Sequence, residues 1–150
     1  MSRALLNKEL GKRILIMDGA MGTMLQQANL SADDFGGEQF DGCNEILNIT
    51  RPDVIESIHL QYLEAGADII ETNTFGATEI VLDEYDLGSK SYEINKTAAL
   101  LAKKATEKVS TNEWPRFVAG SMGPTTKTLS VTGGTTFEKL QESYEEQALG

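Results

Sequence analysis

Residues 14–23 read Ile-Leu-Ile-Met-Asp-Gly-Ala-Met-Gly-Thr, a short apolar run that ends abruptly in a small, flexible, polar turn. An apolar run bounded in this way is expected to be a buried strand. The same pattern returns twice. Residues 67–72, Ala-Asp-Ile-Ile-Glu-Thr, run into Asn73-Thr74-Phe75-Gly76-Ala77, and residues 117–121, Phe-Val-Ala-Gly-Ser, run into Met122-Gly123-Pro124-Thr125-Thr126. The expected strand ends near residues 18, 72 and 121 lie 54 and 49 residues apart, which leaves room for a loop and a helix each time.

Helix caps fill those gaps. Thr50-Arg51-Pro52-Asp53 offers an N-cap hydroxyl, a proline in the first turn and an acid at N3; Val54, Ile55, Ile58, Tyr62 and Leu63 then follow on one face until Gly66. A second helix is expected from about Ser89 to Val109, with Ile94, Ala98, Leu101 and Ala105 on one side and Lys103, Lys104 and Lys108 near the end that favours cations. Thr135 with Glu138 resembles a capping box, and Phe137, Leu140, Tyr144 and Ala148 predict an apolar stripe running to the last residues.

Strand and helix alternating three times imply parallel strands joined by right-handed crossovers, an α/β architecture. Parallel sheets bind ligands at the carboxyl ends of their strands. All three ends here carry Gly, Thr, Ser or Asn, so backbone amides and hydroxyls can approach a small polar ligand. Three parallel strands leave unpaired edges, and a closed barrel of such units takes about 250 residues. The chain is therefore expected to be part of a larger fold.

Composition narrows the function. Thirteen Lys and Arg against 23 Asp and Glu leave a formal charge of −10, which repels phosphate backbones and anionic lipid, so neither nucleic acid nor a membrane is an expected partner. The single cysteine, Cys43, closes no disulfide within the chain, and no apolar run approaches a membrane span or a signal peptide, so a cytoplasmic location is expected.

Four stretches in order carry a resemblance: Asp18-Gly-Ala-Met-Gly-Thr-Met24, Cys43-Asn-Glu-Ile-Leu-Asn-Ile-Thr-Arg-Pro-Asp-Val54, Glu64-Ala-Gly-Ala-Asp-Ile-Ile-Glu-Thr-Asn-Thr-Phe-Gly-Ala77 and Ala119-Gly-Ser-Met-Gly-Pro-Thr125. Together, over roughly residues 10–149, they resemble the start of the homocysteine S-methyltransferase domain of cobalamin-dependent methionine synthases. The resemblance implies a TIM-type (β/α)8 barrel, incomplete in this chain, of which residues 1–150 form about three βα units. It also implies methyl transfer from methylcobalamin to the zinc-bound thiolate of homocysteine in methionine biosynthesis. The substrate's amino-acid portion would lie against Asp18 and Gly19 and against Thr72, Asn73 and Thr74, with Ser121 in the neighbouring wall. A carboxylate such as Asp18 suits an ammonium, while backbone N–H groups and hydroxyls suit a carboxylate.

The match has a boundary. In that family three cysteines in the second half of the barrel bind zinc, whereas Cys43 with His59 offers at most two ligands, too few for a catalytic zinc site. Neither zinc nor cobalamin is expected on this chain alone, which is expected to be inactive in isolation. Its partners would be homocysteine, the rest of the barrel and the folate and cobalamin modules. A cobalamin-independent homocysteine methyltransferase using betaine or S-methylmethionine is the alternative within the fold, and a non-catalytic half-barrel that associates with itself or another chain is the alternative outside catalysis. The Gly19–Gly22 loop lacks the spacing of a phosphate-binding loop. His59 is expected to be a partly covered surface residue; Met17, Met21 and Met24 are expected in the core, and Glu142, Glu145 and Glu146 on a solvated helix face.

Overall fold

The computed structural model describes residues 3–150. It is a mixed α/β structure with parallel strands. In chain order the main elements are α1 (Arg3–Leu10), α2 (Met21–Gln27), α3 (Ala32–Phe35), α4 (Leu47–Thr50), α5 (Pro52–Glu64), β1 (Ile69–Glu71), α6 (Glu79–Leu82), α7 (Ser91–Val109), β2 (Phe117–Ala119) and α8 (Phe137–Leu149). Short 3-10 turns precede α4 and α7.

β1 and β2 run parallel, with Ile69 opposite Phe117, Ile70 opposite Val118 and Glu71 opposite Ala119. The first apolar run joins the other side of β1 by a single parallel bridge, Met17 to Ile69. Its hydrogen bonds keep the parallel pattern: Ile69 N–H donates to the Ile16 carbonyl at 3.1 Å and Asp18 N–H to the Ile69 carbonyl at 2.9 Å. The expectation of a buried strand over residues 14–17 is corrected, because Ile14 is 89% and Ile16 62% exposed and Met17 is also exposed. This segment is bonded along one edge, and among the described residues only its Leu15 side chain is half-buried.

The helices form where their sequences dictate. Pro52 occupies the first turn of α5, where its missing N–H costs nothing. Gly66 ends the connection in the left-handed region, at φ +112°, which a Cβ would strain. Ile55, Ile58 and Leu63 are buried as their spacing predicts. His59 on the same helix is fully buried, a correction to its expected surface place. Thr50 does not cap the helix; Arg51 holds that position, and the Thr50 hydroxyl donates to the Ile46 carbonyl instead. Two cores result. Leu63, Ala67, Ile70, Ala102 and Ala105 lock α5 and α7 onto the outer face of β1. A larger cluster including Leu25, Ile46, Leu47, Ile55, Leu82 and Ile94 packs α2, α4 and α6 against α5 and α7, with Met21 and Met24 partly buried against it.

α8 departs most from its sequence pattern. Thr136, not Thr135, caps it, accepting from the Lys139 N–H at 3.3 Å. The apolar stripe does not face inward: Phe137 and Ala148 are exposed, and the buried residues are Ser143 and Gln147. The helix turns its polar side inward because its inner neighbours are backbone groups. Ser143 Oγ accepts from the Ile80 N–H at 3.2 Å, and the Tyr144 hydroxyl donates to the Gly123 carbonyl at 2.8 Å. Glu142, Glu145 and Glu146 are exposed. No helix among the described residues is long and apolar enough to cross a membrane.

Candidate functional site

The three strand ends converge on one cleft of about 300 Å³, bordered by Asp18, Gly19, Glu45, Glu71, Asn73 and Ser121 among others. Each wall is held by a different device. Asp18 follows the bridge at Met17, and its Oδ1 accepts the Glu71 N–H at 3.0 Å, so the first strand end is fastened to the second by a side chain. Burial, with the Glu71 charge beside it, pushes the Asp18 carboxyl up to about 6, against the Glu71 N–H, which works the other way. Its Oδ2 has no protein partner among the described residues. A Cβ built on Gly19 would meet nothing within 4 Å, so this glycine borders open space.

The Thr72–Asn73–Thr74 segment is buried, and its side chains are engaged. Thr74 Oγ1 donates to the Ser121 carbonyl at 2.8 Å and stands 2.6 Å from Thr72 Oγ1. Because the single hydroxyl hydrogen of Thr74 is committed to Ser121, Thr72 is the donor between the two threonines. Thr72 Oγ1 in turn accepts the Ser121 N–H at 3.0 Å, which closes a ring between the second and third strand ends. Asn73 Nδ2 donates to the Asn44 carbonyl at 2.8 Å. Ser121 Oγ lies 3.5 Å from Glu71 Oε2 at the cleft edge. The structure therefore brings Asp18, Gly19, Thr72, Asn73, Thr74 and Ser121 together, with both threonine hydroxyls serving the frame.

Several residues of this frame lie outside the expected site residues. Asn48 is fully buried and donates to the Asn73 carbonyl at 2.8 Å and to the Glu45 carbonyl at 2.9 Å. Glu45 Oε1 accepts the Gly76 N–H at 2.8 Å. Gln147 reaches in from α8 to donate to the Thr74 carbonyl at 2.8 Å. Glu45 and Asn48 are one helical turn apart in a stretch already singled out as a motif, and an amide amid apolar neighbours is the feature that marks Asn48. Gln147 has no such marker, since its own helix reads as apolar elsewhere.

Cys43 and His59 do not form a reactive pair. Cys43 is buried and its burial pushes the thiol up to about 11; burial of His59 lowers the imidazole to about 4, against the pull of Glu56. Both ring nitrogens of His59 lack a partner. Among the described residues no group of three His, Cys, Asp or Glu side chains is placed to hold a metal ion.

The pattern of the homocysteine S-methyltransferase family matches residues 15–150. The chain belongs to the homocysteine S-methyltransferase family. Among curated relatives, methionine synthase of Mycobacterium leprae is 47% identical over 141 residues, which are 94% of this chain and 11% of that protein. Methionine synthase of Mycobacterium tuberculosis is 45% identical, over 94% of this chain and 12% of that protein. Among solved structures, the metallated form of the homocysteine methyltransferase MmuM from Escherichia coli superposes with a TM-score of 0.72 at 25% identity, over 97% of this chain and 51% of that one. Its oxidized form gives a TM-score of 0.64 at 29% identity, over 77% of this chain and 39% of that one. This member of the family thus spans about a tenth of the length of the curated relatives and at most about half of the solved chain.

Proposed function

We propose that this chain carries one part of the homocysteine pocket of an enzyme that transfers a methyl group to homocysteine in methionine biosynthesis. Residues 1–150 are then about three βα units of a TIM-type (β/α)8 barrel, and the remaining units are what the longer relatives possess in addition. The observation that carries the reading is the convergence of Asp18, Thr72, Asn73 and Ser121 on one small cleft at the carboxyl ends of parallel strands, with Thr74 buried behind its wall.

The work of these residues is to bind and orient. Asp18 keeps one carboxylate oxygen for the substrate ammonium while the other is held by the Glu71 amide. With a carboxyl that titrates near 6, it is mostly ionised at neutral pH and attracts the ammonium in a partly desolvated setting, where such a contact is strong. Asn73 and Ser121 offer polar groups to the substrate carboxylate, and the closed ring of Thr72, Thr74 and Ser121 keeps that wall from shifting. An amino acid clamped at this end would direct its sulfur toward the part of the barrel that this chain does not supply.

The described residues do not fit a zinc ion. Cys43 and His59 are each buried and lack a third ligand among the described residues, so no zinc site is assigned to this chain. The zinc and cobalamin that the resemblance implies belong, in this proposal, to the rest of the enzyme. In their sequence Asn44–Asn48 and Glu71–Phe75 resemble the cobalamin-type enzyme more than those using donors such as betaine or S-methylmethionine.

The test is binding of homocysteine and of 4-mercaptobutyrate, which lacks the amine, to the full-length protein. The unaltered protein should prefer homocysteine, and Asp18→Asn should weaken homocysteine binding roughly tenfold while leaving the amine-free thiol unaffected, the loss of one charge-assisted contact. Equal affinity for the two thiols, or no change in Asp18→Asn, would overturn the assignment.

A further inference from the structure

At the end of the sheet away from the cleft sits a second polar cluster that the pocket does not use. Asp68, only 2% exposed, precedes β1. Its Oδ1 accepts from Arg13 at 2.9 Å and from the Trp114 indole N–H at 2.6 Å, and its Oδ2 accepts the Ile16 N–H at 2.9 Å. Its own N–H donates to the Ile16 carbonyl at 2.7 Å, and its carbonyl accepts the Phe117 N–H at 2.8 Å. Arg116 stacks 3.5 Å over the Trp114 ring, and Glu9 holds Arg13 from the other side. Burial opposes ionisation of Asp68, but the Ile16, Trp114 and Arg13 donors outweigh it and hold the carboxyl below its ordinary range.

One residue therefore ties the 13–17 segment, β1 and the start of β2 together. Resting on the pocket reading above, we infer that Asp68 is a positioning residue, which sets the register in which Asp18 meets the Glu71 amide. Register in a strand is normally set by a buried face, and a slip of one residue turns every side chain to the opposite face. Among the described residues Leu15 alone of the 14–17 segment is half-buried, while Ile14, Ile16 and Met17 are exposed, so hydrogen bonds carry most of its alignment on β1. The order of those bonds along the edge is Ile16 with Asp68, Ile16 with Ile69, Asp18 with Ile69, and Asp18 with Glu71. Two of the contacts at the start of that ladder are side-chain or backbone contacts of Asp68. Were the segment to slip by one position, Asp18 would leave the cleft and Met17 or Gly19 would face Glu71.

The experiment uses the full-length protein with Asp68→Asn, which keeps one acceptor and removes the charge. Two readouts apply: hydrogen exchange at the Glu71 amide, and the pH dependence of homocysteine binding. Exchange at Glu71 should quicken at least tenfold while amides within α5 and α7 stay protected. Homocysteine binding should weaken roughly fivefold, the value of a hydrogen bond partly lost. Its acid break, set by Asp18 beside Glu71 and Glu45, should move from near 6 toward the ordinary carboxylate range as Asp18 becomes solvated. A folded Asp68→Asn protein with unchanged Glu71 exchange and an unchanged acid break would overturn the proposal, since a residue that only stabilises the fold would lower the melting temperature and move neither. If Asp68→Asn does not fold, Trp114→Phe and Arg13→Gln each remove one donor, and the same two readouts should shift in the same direction by less. Failure of the pocket reading is separable: Asp18→Asn would then leave homocysteine binding unaltered, and Glu71 exchange alone would decide the role of Asp68.

Discussion

The Thr74 hydroxyl and the Ser121 carbonyl, 47 positions apart in sequence, stand 2.8 Å apart in the buried wall behind the cleft. Two strand ends are thereby joined through a side chain where the backbone ladder between β1 and β2 has already finished. Thr74→Val removes the hydroxyl at nearly constant volume, leaving the Thr72 hydroxyl without its acceptor and the Ser121 carbonyl with only the longer Gln147 amide contact at 3.4 Å. A cost of about 2–3 kcal/mol is expected, against less than about 1 kcal/mol for Thr74→Ser, which retains the oxygen. Urea denaturation of the two variants checks this, and equal midpoints would contradict it.

Asp18 should trade stability for binding. Its folded carboxyl titrates near 6 against an ordinary 3.8, so between those values the folded state binds more protons than the unfolded one. Stability contributed by this group is then present below about 4 and declines as pH rises through 6. Asp18→Asn should be more stable at pH 7 by about 1 kcal/mol, allowing for solvent screening at a partly exposed site. The same variant should bind homocysteine less well at pH 7, and the difference in binding should vanish as the pH falls below 6. Thermal melts and calorimetric titrations across pH 4–8 measure both.

His59 should behave in the opposite sense. It is a base whose folded value, about 4, lies below its ordinary 6.5, so the unfolded state binds more protons between those values. Its contribution is fully present above 6.5 and is lost as the pH falls toward 4. Because both ring nitrogens are buried without partners, His59→Leu should be tolerated at neutral pH. Relative to the unaltered protein the variant should gain up to about 3 kcal/mol on acidification through this window. A constant difference between the two proteins from pH 7 to pH 4 would refute it.

Gly123 and Gly19 should part ways on substitution. A Cβ at Gly123 would lie 2.6 Å from the Phe75 carbonyl oxygen and 2.7 Å from its ring, whereas one at Gly19 would meet nothing within 4 Å. Gly123→Ala should cost about 2 kcal/mol by forcing the third strand end away from the second. Gly19→Ala should leave the melting temperature unchanged and weaken homocysteine binding by narrowing the cleft. Reversal of that order would mean the cleft is not where the substrate sits.

The legible part of this chain is the part governed by local rules. Pro52, the spacing of Ile55, Ile58 and Leu63, and Gly66 delimit α5 because each acts through its own backbone or helix face. The strand ends were legible for the same reason, since small and polar residues after an apolar run mark a turn wherever they occur. Long-range partners were not. The partners of Asp68 are 52, 55 and 46 residues away, and nothing near it in sequence announces them. The inward face of α8 is not legible because periodicity rewards apolar side chains, while Ser143 and Gln147 are drawn in by the Ile80 amide of α6 and the Thr74 carbonyl. His59 was misplaced because a histidine beside apolar positions reads equally well as edge or interior.

The frame of the cleft has an uneven grammar of donors and acceptors. Asn48 and Gln147 each give side-chain hydrogens to main-chain carbonyls, those of Asn73 and Thr74. A carbonyl persists whatever residue carries it, but a side-chain amide does not. Sequence drift is thus constrained on one side of each bond only: Asn44, whose carbonyl alone receives Asn73, can change its side chain without loosening that bond, while Asn48 and Gln147 cannot. In a library of random substitutions selected for folding, the glutamine on α8, far from the cleft in sequence, should tolerate fewer replacements than the half-buried asparagine that borders it.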